Sequence, residues 1–158
     1  PSLQAVFVAE DLYIFGNKNG LQGWKENPRV HHQGFMASDD FIHSVDADFG
    51  LVWDGDSLET CSGVFGEYLK WNSPHKVSFY LRSALPVIIW QEAAVASIIE
   101  KEGAGFAIKD PQELNERLKT LTPTEYHQMK ENAKRLAKEL NSGHFIRQAL
   151  QEYFTSEV

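Results

Sequence analysis

The chain has 158 residues, enough for one domain, and with 42% hydrophobic residues, ten Phe, five Tyr and four Trp it can bury a sizeable core. A net charge of −7 with no stripe of Lys and Arg argues against a nucleic-acid surface. The single cysteine, Cys61, excludes an internal disulfide and a cysteine-cluster zinc site and fits a reducing, cytoplasmic setting, and without a bilayer-length apolar run any membrane association is expected to be peripheral at most.

The opening Pro1-Ser2-Leu3-Gln4 carries no initiator Met and no signal-like segment, and reads as the interior of a longer protein. Leu12-Tyr13-Ile14-Phe15 reads as a buried strand that stops at Gly16, before a turn rich in Asn, Lys and Gly. That turn is neither a Walker loop nor the dinucleotide fingerprint. Val30-His31-His32-Gln33 is a short strand ending at Gly34. Ser38-Asp39-Asp40 opens a short helix with Phe41, Ile42 and Val45 on it. The apolar run Phe49-Gly50-Leu51-Val52-Trp53 breaks at Asp54-Gly55-Asp56, as a central strand with a polar carboxyl end would. Residues 57–72 read as a glycine-containing connection.

From Pro74 the apolar positions Val77, Tyr80, Leu81 and Ala84 give the stripe of a one-sided helix, which has to end near Leu85 because Pro86 follows. Val87-Ile88-Ile89-Trp90 is a buried strand. A helix from about residue 92 to residue 102 stops at Gly103, Phe106-Ala107-Ile108 is a further strand, and Asp110 caps the next helix. From Pro123 the chain is helical to about Leu140, and after Asn141-Ser142-Gly143 a last helix begins near His144. This alternation of apolar strands and helices predicts an α/β fold, a doubly wound parallel sheet, with closing helices that pack toward another domain or form an oligomer contact.

Three helix starts share one recipe. Thr122-Pro123-Thr124-Glu125 and Asp110-Pro111-Gln112-Glu113 put an oxygen at the N-cap, proline next, and a carboxylate two positions on. Ser73-Pro74-His75-Lys76 differs in carrying Lys76 where the others carry glutamate. A cation there opposes the helix dipole at about 0.3–1 kcal/mol, unless an anion is held at that end. A bound phosphate explains Lys76, and from these four residues alone so does a solvated lysine whose partner they do not show. On this local logic Lys76→Glu is neutral or slightly stabilising without ligand.

In doubly wound sheets ligands bind beyond the carboxyl ends of the strands. That places Gly16, Gly34, Asp54 and the Asn72, Ser73, His75 and Lys76 segment at one candidate site. Phe35 is either a stacking platform for a nucleobase or a core residue. Asp54 and Asp56 accept ribose hydroxyls, bind a cation, or form a turn. Glu67 and Tyr68 reach a sugar or lie on a loop surface. His31 and His32, being adjacent on a strand, face opposite ways and do not share a metal. No catalytic triad or isolated carboxylate pair stands out, which suggests half of an active site, with catalytic residues unassigned and no metal.

The segment from Asn72-Ser73-Pro74-His75-Lys76 through Leu85-Pro86-Val87-Ile88-Ile89-Trp90, together with Phe49-Gly50-Leu51-Val52-Trp53 and Gly103-Ala104-Gly105-Phe106-Ala107-Ile108, resembles a known family. It is similar to the C-terminal, nucleotide-sugar-binding half of bacterial GT-B glycosyltransferases, a group that includes β-1,6-galactofuranosyltransferases and the glucosyltransferase of streptococcal serine-rich adhesins. The resemblance implies a Rossmann-like domain over residues 1–158 that binds a UDP-sugar, with Lys76 on the diphosphate and the aromatic at Phe35 against the nucleotide. It implies no cofactor beyond that donor, no bound metal, and a glycan or glycoprotein acceptor held by an N-terminal half. A first strand and a Gly-Asn segment of the family would precede Pro1. Relatives often have glycine at Ala84, and alanine suggests a helix end of less left-handed character. The other readings are a UDP-sugar epimerase of related fold and a non-catalytic α/β interaction module.

Overall fold

The computed structural model describes residues 4–8, 11–15, 27–55, 57 and 59–156. Six strands form one sheet: β1 (Gln4–Val8), β2 (Asp11–Phe15), β3 (Val30–Gly34), β4 (Phe49–Val52), β5 (Val87–Trp90) and β6 (Gly105–Ile108), in the order β3-β2-β1-β4-β5-β6. The helices are α1 (Ser38–Ser44), α2 (Gly63–Trp71), α3 (His75–Arg82), α4 (Ala96–Lys101), α5 (Pro111–Thr120), α6 (Pro123–Asn141) and α7 (His144–Ser156). The α/β alternation expected from the sequence is present, and the sheet is Rossmann-like with one qualification. The strand β1 is antiparallel to both β2 and β4, while the pairs β2–β3, β4–β5 and β5–β6 are parallel. Two residues separate β1 from β2, and a connection that short permits only an antiparallel pair. Five strands thus present their carboxyl ends at a common edge, and β1 brings its amino end there.

Side-chain alternation assigns the two faces of the sheet. On one, Val6, Val52, Val87 and Ile89 pack with Phe41 of α1, Val77 and Tyr80 of α3, and Ile99 of α4. On the other, Phe49, Ile88, Phe106 and Ile108 pack with Leu114 of α5 and with Tyr126 and Met129 of α6. Every residue of β5 is buried, as a strand covered on both faces requires, and each large apolar side chain so buried contributes about 1.5–3 kcal/mol. Gly50 permits the close seat of α3: a Cβ there would lie 2.2 Å from the Tyr80 ring. Tyr80 can be this deep because its hydroxyl oxygen accepts the Ala5 amide at 2.8 Å.

The long helix α6 crosses the amino edge of the sheet. Tyr126 donates to Asp48 at 2.9 Å and Lys130 to the Ala47 carbonyl at 2.9 Å, both just before β4, and Asn132 donates to the Gly103 carbonyl at 3.0 Å, just before β6. The edge opposite the carboxyl ends is therefore strapped. Among the described residues no helix is long and apolar enough to cross a membrane.

Three local expectations are corrected. Residues 63–71 of the assumed connection form α2, whose Val64, Phe65 and Trp71 are exposed while Gly66 and Leu69 are buried, so the helix turns most of its large apolar side chains to solvent and packs on the fold through Gly66 and Leu69. The helix expected from about residue 92 begins only at Ala96, after turns closed by Ala93 to Trp90 and Ala96 to Ala93 hydrogen bonds. Ala84 is fully left-handed, at φ 55°, contrary to the expectation for alanine. It ends α3 in a Schellman motif, with Leu85 N–H on the Tyr80 carbonyl at 3.0 Å and Ala84 N–H on the Leu81 carbonyl at 2.9 Å. Those two bonds and the burial of Leu85 hold alanine in a conformation it disfavours.

Candidate functional site

The candidate site lies at the carboxyl edge, where β4 ends and α3 begins. The chain leaves β4 through Trp53 to Asp54, and α3 returns antiparallel to the strands, so its first turn points at the same edge. The helix starts one residue later than the sequence recipe expects. Pro74, with φ −68° and ψ 142°, is the N-cap, and no side chain caps the helix. Ser73 stands outside it, and Asn72, Ser73 and His75 are exposed. Lys76 lies on the inner face of α3 with Val77 and Tyr80, and is only 7% exposed.

The reading of Lys76 as a solvated lysine is therefore corrected: it is buried, and its Nζ donates to Asp54 Oδ1 at 2.5 Å. A buried ammonium without a counter-charge is strongly unfavourable, so in this arrangement Asp54 is the anion at the start of α3. The structure thus joins two residues that the sequence proposed separately, 22 positions apart.

The surroundings of the pair were not evident in the sequence. Burial pushes the Cys61 thiol up to about 11, against a backbone hydrogen bond at Asp54 that lowers it, and the charges of Asp54, Lys76 and Glu92 also act on it. Glu92, just after β5, lies 3.4 Å from Lys70 of α2, whose Nζ also sits 5.5 Å above the Trp90 ring. Lys70 reaches this group on α2, and Cys61 reaches it from the segment just before that helix. Glu67, on α2, pairs with Lys70 at 3.1 Å.

Phe35 follows Gly34, whose φ of 77° suits glycine, at the carboxyl end of β3. It is 82% exposed, which removes the core reading for this residue. Three inter-strand steps separate β3 from β4, roughly 14 Å at about 4.8 Å per step, so a ligand touching both Phe35 and Lys76 has to be elongated. Gly16 and Asp56 lie outside the described residues. His31 is hydrogen-bonded to Asp11 at 2.9 Å and stacked on Tyr13, away from any ligand set. Among the described residues no three His, Cys, Asp or Glu side chains are grouped to share a metal ion. An open groove lined by Glu59, Asp110, Pro111 and Gln112 lies farther along the edge, and its carboxylates suit it poorly to phosphate.

Comparison with known proteins finds similarity over nearly the whole chain. Residues 3–153 match the family described as Glucosyltransferase 3-like, C-terminal domain. The chain is 41% identical over 128 residues to the β-1,6-galactofuranosyltransferase WbbI of Escherichia coli (strain K12), a match covering 81% of this chain and 39% of that protein. It is 30% identical over 104 residues to Glucosyltransferase 3 of Streptococcus parasanguinis, covering 66% of this chain and 29% of that protein. The chain thus spans well under half the length of the curated relatives it matches. By its sequence along almost all of its length, the chain belongs to the Glucosyltransferase 3-like, C-terminal domain family.

Proposed function

We propose that this chain is the donor-binding half of a GT-B glycosyltransferase, one that transfers a hexosyl group such as glucose, galactose or galactofuranose from a UDP-sugar to a glycan or glycoprotein acceptor. The observation that carries the reading is a buried ammonium at the carboxyl edge, on a helix start that no side chain caps, in a chain whose relatives are named as glycosyltransferases. In this reading Lys76 and the open N–H groups of α3 offset the charge of the diphosphate, most strongly as it becomes the leaving group. The exposed ring of Phe35 lies against the uracil, and His75, Ser73 and Asn72 on the rim donate to phosphate or ribose. The acceptor, and any general base, come from an N-terminal half facing this edge, in the cytoplasm.

UDP is the test ligand. Binding only to the folded chain, it stabilises by RT ln(1 + [L]/Kd), about 2.7 kcal/mol at 100-fold excess over Kd, and does so without added divalent cation. Thermal shift against UDP, UDP-glucose, UDP-galactose and UDP-galactofuranose reads both the binding and the preference. Absence of a shift at millimolar UDP would instead favour the interaction-module reading. Donor binding is expected to occur without sugar transfer by these 158 residues alone, because the acceptor is not positioned by them.

A further inference from the structure

The two members of the Lys76–Asp54 pair are unequally placed. The Lys76 side chain is 8% exposed and that of Asp54 is 29% exposed, so the carboxylate is the member nearer solvent. An ammonium has three donors, and among the described residues Lys76 uses one, on Asp54 Oδ1. Among the described residues no other carboxylate is paired with it: Glu92 is engaged with Lys70, and the Cys61 thiol beside the pair is held neutral by burial.

We propose that Asp54 is a placeholder, a carboxylate that occupies Lys76 in the donor-free chain and is displaced into solvent when a nucleoside diphosphate takes its place. The proposal rests on the reading of this edge as a diphosphate site. Three considerations support exchange over a bridged arrangement. A diphosphate carries more charge and more acceptor oxygens than a carboxylate, and can therefore fill the donors that Asp54 leaves open. If Asp54 stayed on the same Nζ, it would face phosphate oxygens across one ammonium, and like charges that close oppose binding. Asp54 is already partly in water, so its release costs less than uncovering Lys76 would. The pair thus stabilises the empty chain and restrains donor binding with the same contact.

The opposition of those two effects is what an experiment can read. Calorimetric titration with UDP is to be run on the unmodified chain, Asp54→Asn and Lys76→Met at one pH and one salt concentration, with thermal melts alongside. Asp54→Asn is expected to melt earlier yet bind UDP about tenfold tighter, the equivalent of about 1.4 kcal/mol. Lys76→Met is expected to lose at least about tenfold in affinity. Weaker or unchanged binding by Asp54→Asn overturns the placeholder, whereas full UDP affinity in Lys76→Met overturns the donor-site reading itself. A crystal structure of the unmodified chain with UDP decides the matter should Asp54→Asn not fold. Phosphate on Lys76 with Asp54 turned away supports the proposal, and phosphate on Lys76 with the ion pair intact ends it. Phosphate seated elsewhere ends the donor-site reading along with it.

Discussion

Helices α3 and α6 are each introduced by a hydroxyl residue followed by proline, and they are completed in different ways. At α6 the closure is local. Thr122 accepts the Glu125 amide at 3.2 Å, and the Glu125 carboxylate accepts the Thr122 amide and hydroxyl, each at 2.8 Å. At α3 no side chain caps the first turn, and the charge on Lys76 is balanced by Asp54 from another element. The first helix start belongs to the strap across the amino edge, and the second faces the edge where ligands bind in this class of sheet. The α6 start is closed by its own sequence neighbours, as is that of α5, where Asp110 accepts the Gln112 and Glu113 amides. At the α3 start no side chain takes the first-turn donors, and the counter-charge comes from Asp54, the residue proposed to move when ligand binds.

The largest expected consequence of that difference is at Lys76. Lys76→Glu sets two carboxylates against each other where the Asp54 pair now lies, and breaking a buried pair costs about 3–5 kcal/mol. This reverses the expectation from helix-start logic alone, under which glutamate would complete the recipe and gain a few tenths of a kcal/mol. Chemical denaturation without ligand measures it, and a neutral result would mean that Asp54 does not hold Lys76 in solution.

At α6 the corresponding loss is smaller and independent of ligand. Thr122→Ala removes one cap acceptor and is expected to cost about 1 kcal/mol with UDP affinity unchanged. The backbone hydrogen bond from Thr122, then the one from its hydroxyl, hold the Glu125 carboxyl below its ordinary 4.5. A carboxylate with a lowered folded-state pKa stabilises above its unfolded value and loses that contribution as pH falls. The stability difference between the unmodified chain and Glu125→Gln is therefore expected to be full above about pH 4.5 and to fade below it. A difference that grows in acid would contradict the capping box.

How much of this was readable in the sequence follows from the range of the interactions. The capping chemistry of Asp110 and Thr122 is complete within four residues, and both helix starts were legible to the residue. β4, β5 and β6 were legible because burial on both faces leaves continuous apolar runs. By contrast α2 was hidden, since it packs through Gly66 and Leu69 and turns its aromatic residues outward. The direction of β1 depends on its connection to β2, which hydrophobicity does not encode. The end of β4 and the start of α3 were legible as neighbours at the carboxyl edge, but the Lys76–Asp54 contact joins residues 22 positions apart and appears only once β4 and α3 are packed together.

The two ends of α3 supply the smaller tests. Its C-terminal motif has the same hydrogen bonds as the end of α4, where Gly103 is left-handed at φ 60°, with Gly103 N–H on the Glu100 carbonyl and Ala104 N–H on the Ile99 carbonyl. Alanine in that conformation costs about 1–2 kcal/mol, and glycine returns about 0.4–1 kcal/mol of that through the entropy of the unfolded chain. Ala84→Gly is therefore expected to stabilise by about 0.5–1 kcal/mol with UDP binding unchanged, read from the denaturation midpoint. Destabilisation would show that the Ala84 methyl has a packing role beyond its backbone strain.

The smallest effect on stability is expected at Ser73, where the comparison with Thr122 is most direct. Both residues precede a proline, and in the sequence both read as N-caps. The structure moves the cap of α3 to Pro74, leaving Ser73 exposed and its hydroxyl without a capping bond. An exposed hydroxyl already in water loses little when removed, so Ser73→Ala is expected to change stability by less than about 0.5 kcal/mol, against about 1 kcal/mol for Thr122→Ala. Its effect on UDP discriminates further: a hydroxyl that donates to phosphate lowers affinity when removed, by a few-fold for one neutral hydrogen bond of about 1 kcal/mol. Equal stability losses at Ser73 and Thr122 would show that Ser73 caps α3 in solution, and the contrast between a closed structural start and an open functional one would no longer hold.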